Sequence, residues 1–303
     1  MNEFFRIESI SQIHQLLGLE KPRHPLITII QASDLKGVPL PEFGGKVRNE
    51  LYLVSLKNGT ECKFIYGRAS YDFQEGTVIF LAPGQVVAPS DQAPASGGDT
   101  ELGWMLFFHP SLIHGTPLAK KLREYTFFSY RANEALHVSE QERTELAALL
   151  DLIKKEYGRN LDAYSAGIIL SNLELLFGYF QRYYGRQFLT RAGANHDILA
   201  RFEEVLELGF SGEGPRSLPT VKACAERLGY SPNYLSDLLK KVTGKSAQEQ
   251  IHARLIEKAK DLLLGTTDPV NRVAYALGFE YPQHFSKLFR KGTGLTPGQF
   301  RRG

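Results

Sequence analysis

The feature that most constrains this chain is a repeat near its carboxyl terminus. Ala225-Glu-Arg-Leu-Gly-Tyr230, followed by Tyr234-Leu-Ser-Asp-Leu-Leu-Lys-Lys-Val-Thr-Gly244, recurs as Ala274-Tyr-Ala-Leu-Gly-Phe279, followed by His284-Phe-Ser-Lys-Leu-Phe-Arg-Lys-Gly-Thr-Gly294. The offset is 49 before the turn and 50 after it, so the second copy carries one additional turn residue. Each copy predicts a short helix ending at glycine, a tight turn, and a second helix with Leu235, Leu238 and Leu239, or Phe285, Leu288 and Phe289, on one face. Glycine adopts the positive φ such a turn needs, and Ala225 or Ala274 is small enough to let the two helices cross closely. This is the helix-turn-helix pattern. Two registered copies are far more specific than one. Ser231-Pro232 and Asp268-Pro269 each read as an N-cap followed by proline at the first helical position.

The segment between the copies is itself helical. Ser246 and Glu249 form a capping box, Ile251, Leu255, Ala259, Leu262 and Leu263 give an apolar stripe, and Gly265 marks the stop. About 17 residues at ~1.5 Å each span roughly 26 Å, which lets the two modules sit about one DNA turn, ~34 Å, apart. One chain can then read two successive major grooves from one face.

From about Asn195 onward the chain resembles the AraC/XylS family of bacterial transcription regulators. The resemblance is carried by Ala225…Leu228-Gly229-Tyr230, by Arg254-Leu255…Ala259-Lys260…Leu262-Leu263, and by Gly278-Phe279…Phe285-Ser286-Lys287…Phe289-Arg290-Lys291…Gly294-Leu-Thr-Pro-Gly-Gln-Phe-Arg301. It implies a DNA-binding domain of two helix-turn-helix motifs bridged by a long helix. Tyr281 departs from the family pattern, which has a short polar residue there to cap the second reading helix; Glu280 or the backbone must serve instead. The amino-terminal part more weakly resembles the cupin-like sensor barrel with a helical dimerisation hairpin found in many members.

Residues near the start of a groove-bound helix that point away from its own core meet base edges. Those are Asn233, Ser236 and Asp237 in the first copy and Gln283, Ser286 and Lys287 in the second. Lys donates to guanine, Asn and Gln pair with adenine, and Asp accepts from cytosine. Lys240, Lys241, Lys245, Arg290, Lys291, Arg301 and Arg302 are expected at phosphates, which position the protein without informing sequence.

Upstream, Ile10, Ile13, Leu16 and Leu17 predict a short helix closed by Pro22 and Pro25. From Leu26 to about Arg131, short runs rich in Val, Ile, Tyr and Phe alternate with turn residues. Asn58-Gly59 suits a type I′ turn and predicts a hairpin joining strands 51–56 and 61–66. Glu75-Gly76 and Pro83-Gly84 bracket a strand over 77–81, residues 90–100 read as an exposed loop, and 104–108 as a buried strand. Closure into a barrel or sandwich would remove exposed edges. At Ser139 the period turns helical, with a Ser139/Glu142 capping box and Leu146, Leu149, Leu150, Ile153 and Tyr157 on one face. Ile169, Leu173, Leu176, Phe177 and Phe180 form a second, wider stripe, so an antiparallel helix pair is expected. Packing onto the barrel and a dimer face both satisfy that stripe. Gly185 to Asn195 is the linker candidate.

Charge separates the two regions. The chain totals 36 Lys+Arg and 33 Asp+Glu, a formal +3, yet from Arg216 onward 15 basic residues stand against 7 acidic ones, +8, leaving −5 for the rest. A basic module on an acidic partner is the electrostatic footprint of a nucleic-acid binder. Two distant cysteines, Cys62 and Cys224, make no disulfide framework or CxxC zinc site and fit a reducing, cytoplasmic setting. The amino terminus lacks a basic stretch before an apolar core, so no secretory signal is expected. No apolar run approaches the ~18 residues of a membrane helix, so no membrane association is expected. His14, His24, His109, His114 and His137 lack the His-x-His spacing that converges imidazoles on a metal, and GxSxG, P-loop and GxGxxG patterns are absent. No catalytic residue, cofactor or metal is therefore expected. Tyr52, Tyr66, Tyr71, Phe80 and Trp104 point inward and read either as an apolar effector pocket with polar tips or as simple core.

The expectation is an α+β two-domain protein. Residues 1–185 form a cupin-like sensor and dimerisation domain, with a β-barrel over about 26–135 and a helical hairpin over about 139–184. Residues 186–195 form a linker, and 196–303 an all-α DNA-binding domain with helix-turn-helix motifs at about 218–242 and 268–292. The expected function is sequence-specific transcription regulation, as an activator and homodimer on double-stranded DNA under a small-molecule effector; RNA polymerase is a partner implied by the family resemblance. A constitutive regulator with a purely structural barrel, and a cupin-type metalloenzyme fused to a DNA binder, are the alternatives.

Overall fold

The computed structural model describes residues 5–35, 47–57, 76–87, 102–131, 134–160, 162–190, 192–211 and 218–302. The chain divides into two units, Met1–Gln187 and Phe188–Gly303.

The first unit contains β1 (Phe5–Ile7), α1 (Ile10–Leu16), β2 (Ile27–Gln31), β3 (Val47–Asn49), β4 (Tyr52–Lys57), β5 (Thr77–Leu81), β6 (Gln85–Val87), β7 (Leu102–Phe108), α2 (Pro117–Glu124), β8 (Leu136–His137), α3 (Glu140–Tyr157) and most of α4 (Ser165–Thr190). The strands form a five-stranded sheet, β2-β7-β4-β5-β8, and a three-stranded sheet, β1-β3-β6. Strand alternation sends successive side chains to opposite faces, so Ile29, Leu106, Val54 and Phe80 share one face of the larger sheet and Ile30, Met105, Ser55 and Ile79 the other. The first face receives α4, where Phe80 meets Phe180 edge-on at 4.9 Å between ring centroids and Phe108 meets Phe177 at 6.0 Å. On the second face, Ile30 and Phe107 join Ile10, Ile13 and Leu17 from α1 and its flank in one apolar cluster.

Both long helices lie where the periodicity predicts them. The Ser139 capping box forms with both of its hydrogen bonds, and Leu146, Leu149, Leu150, Ile153 and Tyr157 are buried. Glu142 at the start of α3 is paired with Arg186 near the end of α4 at 2.6 Å, so the helices run antiparallel. The Asn58-Gly59 turn, the 61–66 strand, Cys62, Glu75 and the 90–100 loop lie outside the described residues.

Two expectations meet a different structure. Instead of a closed barrel over 26–135, the described strands form two open sheets, and the edges of the larger one are covered by helix side chains. At β2, the Ile29 N–H donates to the Tyr157 hydroxyl of α3 at 3.1 Å. At β8, the His137 N–H donates to Gln187 Oε1 at 2.8 Å while Gln187 Nε2 donates to the Ala135 carbonyl at 3.2 Å, so one side-chain amide stands in for a neighbouring strand. Edges satisfied in this way have no need to meet each other. The residues expected as a linker, 186–195, are helical through Thr190 and again from Ala192. Arg186 and Gln187 are held by Glu142, His137 and Ala135 within the first unit.

Among the described residues, every element of the second unit is a helix: the end of α4, then α5 (Ala192–Ser211), α6 (Val221–Leu228), α7 (Pro232–Thr243), α8 (Ala247–Gly265), α9 (Val270–Ala276), α10 (Pro282–Thr293) and α11 (Pro297–Arg302). The two turns use glycine as expected, with Gly229 at φ 82° and Gly278 at φ 91°. The extra residue of the second copy falls between Gly278 and Pro282. Its consequence is at the caps. In the first copy Ser231 Oγ accepts from the Tyr234 N–H at 3.3 Å. In the second, Tyr281 occupies the N-cap without a side-chain bond, and only the backbone serves, through the His284 N–H to the Tyr281 carbonyl at 3.0 Å. Asp268 is not the cap of α9, which falls on Pro269; its carboxylate instead pairs with Arg272, one turn along, at 3.1 Å.

This difference predicts opposite responses at equivalent sites. Ser231→Ala should cost about 1 kcal/mol of unfolding free energy, and Tyr281→Ser should gain about 0.5–1 kcal/mol by supplying the missing cap. Denaturant titrations of the two variants check this; a loss in both would contradict the assignment.

Candidate nucleic-acid interface

At 100° per residue, burying Tyr234, Leu235, Leu238 and Leu239 leaves one face of α7 for Asn233, Ser236, Asp237, Lys240 and Lys241. Asn233, Lys240 and Lys241 are exposed, and Ser236 and Asp237 are half-buried beside the core residues. The same division holds on α10, where Phe285 and Phe289 are buried and Leu288 half-buried. There Gln283, Lys287, Arg290 and Lys291 are exposed and Ser286 half-buried. The structure thus gathers five residues on each helix into one row, related pairwise by the 50-residue offset. An open groove of about 550 Å³ beside α10 is lined by Ser286, Lys287, Arg290, Lys291 and Thr296.

Both helices stand on α8, whose Ala247, Ile251, Leu255, Ala259 and Leu263 are buried and whose Ser246–Glu249 capping box forms as expected. At 19 residues it is ~28 Å long. Two of its basic residues have other work. Arg254 and Lys258 both bind Glu207 of α5, Lys258 at 3.0 Å, and the Arg254 guanidinium holds the Glu207 carboxyl below the usual carboxylate range. Lys258 also lies over the Phe210 ring at 5.1 Å. These charges fasten α5 to α8 rather than facing outward.

Of the expected phosphate ligands, Lys240, Lys241, Lys245, Arg290, Lys291 and Arg302 are exposed. Arg301 is not. Its Nε donates to the Leu263 carbonyl at 3.0 Å and its Nη1 to the Asp268 carbonyl at 2.5 Å. A guanidinium spent on two internal carbonyls is not presented to a phosphate.

Sequence periodicity missed His284. The repeat aligns it with Tyr234, which is buried against Tyr230 at 5.4 Å and Phe188 at 5.2 Å. His284 is exposed and pairs edge-on with the half-exposed Tyr281 at 5.6 Å. Together with Leu218, Tyr275 and Phe279 they line an open groove of about 670 Å³. The difference has a packing cause, since Phe188 at the end of α4 packs on Tyr234 and α5 packs on α6 and α7 of the first copy. No residue pattern inside the repeat carries that information.

In the first unit, the expected pocket residues divide. Tyr52 is half-buried and stacked on Phe108 at 4.7 Å. Phe80 packs among Phe127, Phe128 and Phe180. Trp104 is buried, its indole Nε1 without a hydrogen-bond partner. Tyr66 and Tyr71 lie outside the described residues.

Comparison with known proteins bears on the second unit. Residues 224–303 match a family model described as a helix-turn-helix domain. Among curated relatives, the uncharacterized HTH-type transcriptional regulator YobQ of Bacillus subtilis is 39% identical over 82 residues, 27% of this chain and 34% of the relative. The uncharacterized HTH-type transcriptional regulator YijO of Escherichia coli K12 is 36% identical over 103 residues, 34% of this chain and 36% of the relative. The HTH-type transcriptional activator RhaS of Escherichia fergusonii is 35% identical over 82 residues, 27% of this chain and 30% of the relative. The matched segment spans only 30–36% of the length of these relatives. A solved C-terminal domain of AraT, a response regulator from Geobacillus stearothermophilus, is 30% identical and covers 35% of this chain and 83% of that one, with a TM-score of 0.31. The carboxyl-terminal part of this chain is a helix-turn-helix domain of the AraC/XylS type.

Proposed function

We propose that this chain is a DNA-binding regulator of transcription whose helices α7 and α10 enter two successive major grooves. The observation that carries this is the pair of outward rows, one on each helix, mounted on the single buried stripe of α8. Asn233, Ser236, Asp237, Gln283, Ser286 and Lys287 read base edges, with His284 added by its exposure. Lys240, Lys241, Lys245, Arg290, Lys291 and Arg302 meet phosphates.

In this reading the first unit is the cupin-like regulatory part, holding an effector pocket near Trp104 and joining two copies of the chain. Dimerisation is supported by α4, where Ile168 and Leu175, at 43% and 49% exposure, fall with Tyr164 just before the helix, at 76%, on one side, while the opposite side is buried. Activation is supported by the relative named as a transcriptional activator; RNA polymerase as partner follows from the family resemblance alone.

Two experiments test these roles. Lys287→Ala should relax base preference at one position of the site, costing about 1–3 kcal/mol on the preferred sequence, whereas Lys291→Ala should weaken all DNA alike and reduce the salt slope by about one. Binding to randomised sites that left both variants with wild-type preference and slope would refute the assignment. Leu175→Glu should convert a dimer to a monomer in sedimentation; an unchanged mass removes α4 as the dimer face.

A further inference from the structure

We propose that Arg301 is a positioning residue that fixes the second reading helix at a set distance from the first. The inference rests on the DNA-reading role proposed above and adds to it what determines the spacing of the two half-sites.

The last four carbonyls of a helix have no partner within it. At the end of α8 two of them are met by side chains, the Leu262 carbonyl by the Thr266 hydroxyl at 2.7 Å and the Leu263 carbonyl by Arg301 Nε at 3.0 Å. The same guanidinium reaches the Asp268 carbonyl through Nη1. Leu263 lies in the last turn of α8, and Asp268 lies just before α9 begins at Val270. One rigid fork therefore bridges the connection that hangs the second helix-turn-helix on α8. A cation at a helix C-terminus also suits the helix dipole. The third nitrogen, Nη2, is buried without a hydrogen-bond partner, so the group is turned into the protein.

Arg301 reaches the reading helix through its own element. Its neighbour Phe300 packs edge-on against Phe289 of α10 at 5.3 Å, and Pro297 at the start of α11 is buried. The end of α8, the α8–α9 connection and α10 are thereby tied at one place. The first copy has an apolar residue at the matching register, the buried Ile251 on α8 itself. The adjacent Arg302 is exposed and serves as an internal comparison.

The test uses the full-length chain and DNA carrying both selected half-sites, with the spacer changed by one base pair in either direction. Wild type should lose about tenfold in affinity per base pair of misspacing. Arg301→Lys keeps the charge but not the fork; it should reduce that loss to about threefold or less while leaving single-half-site affinity and the salt slope unchanged. Arg302→Ala should do the reverse, lowering the slope by about one with the spacing optimum intact. A sharp optimum retained by Arg301→Lys, or a lowered slope in Arg301→Gln, overturns the positioning role alone. Loss of helical circular dichroism in both Arg301 variants assigns the residue to folding and likewise overturns it. Absence of sequence-specific binding by wild type overturns the DNA-reading role as well.

Discussion

The apolar stripe of α8 is the element on which the rest of the second unit depends. Ile251, Leu255, Ala259 and Leu263 are 0–3% exposed, and α8 packs against α6 and α7 of the first copy and against α9, α10 and α11 of the second. A helix-turn-helix of two short helices has too little apolar surface to stand alone. Each copy completes its core on the same helix. The separation of the two reading helices then follows from the rise of a 19-residue helix, and it changes only if α8 or its end connections change.

Sharing a scaffold does not make the copies equivalent. The position that presents a carboxylate on α7, Asp237, presents an ammonium on α10, Lys287, and Lys240 gives way to Arg290. In the proposed reading, base donors suit the first helix and base acceptors the second, which gives the preferred DNA a direction. Surroundings differ as well. α5 packs over the first copy, and Phe188 at the end of α4 packs on its Tyr234, whereas the second copy leaves Tyr275 and Tyr281 at 56% and 50% exposure.

How much of this could be read from sequence depends on the range of the physical cause. Gly229, Ser231, Ser139 and Ser246 act within a few residues, through positive φ or a cap, and the elements they begin or end lie where their spacing places them. The reading faces follow from helical periodicity, which needs no knowledge of partners. What escaped is set by distant groups. The open sheet depends on Tyr157 and Gln187, which lie 128 and 50 residues from the strand N–H groups they satisfy. Glycine and arginine at 185–186 have the composition of a linker, but Arg186 finds Glu142 and α4 continues through Thr190. Arg301 and Arg302 are identical as letters, and only the carbonyls of Leu263 and Asp268 distinguish a clamp from a surface cation.

Paired reading from one face is most directly tested by hydroxyl-radical footprinting of the full-length chain on a selected site. Two protected windows centred about 10–10.5 base pairs apart on the same face of the duplex are expected from each bound chain. A single window per chain, or two windows on opposite faces, would contradict it.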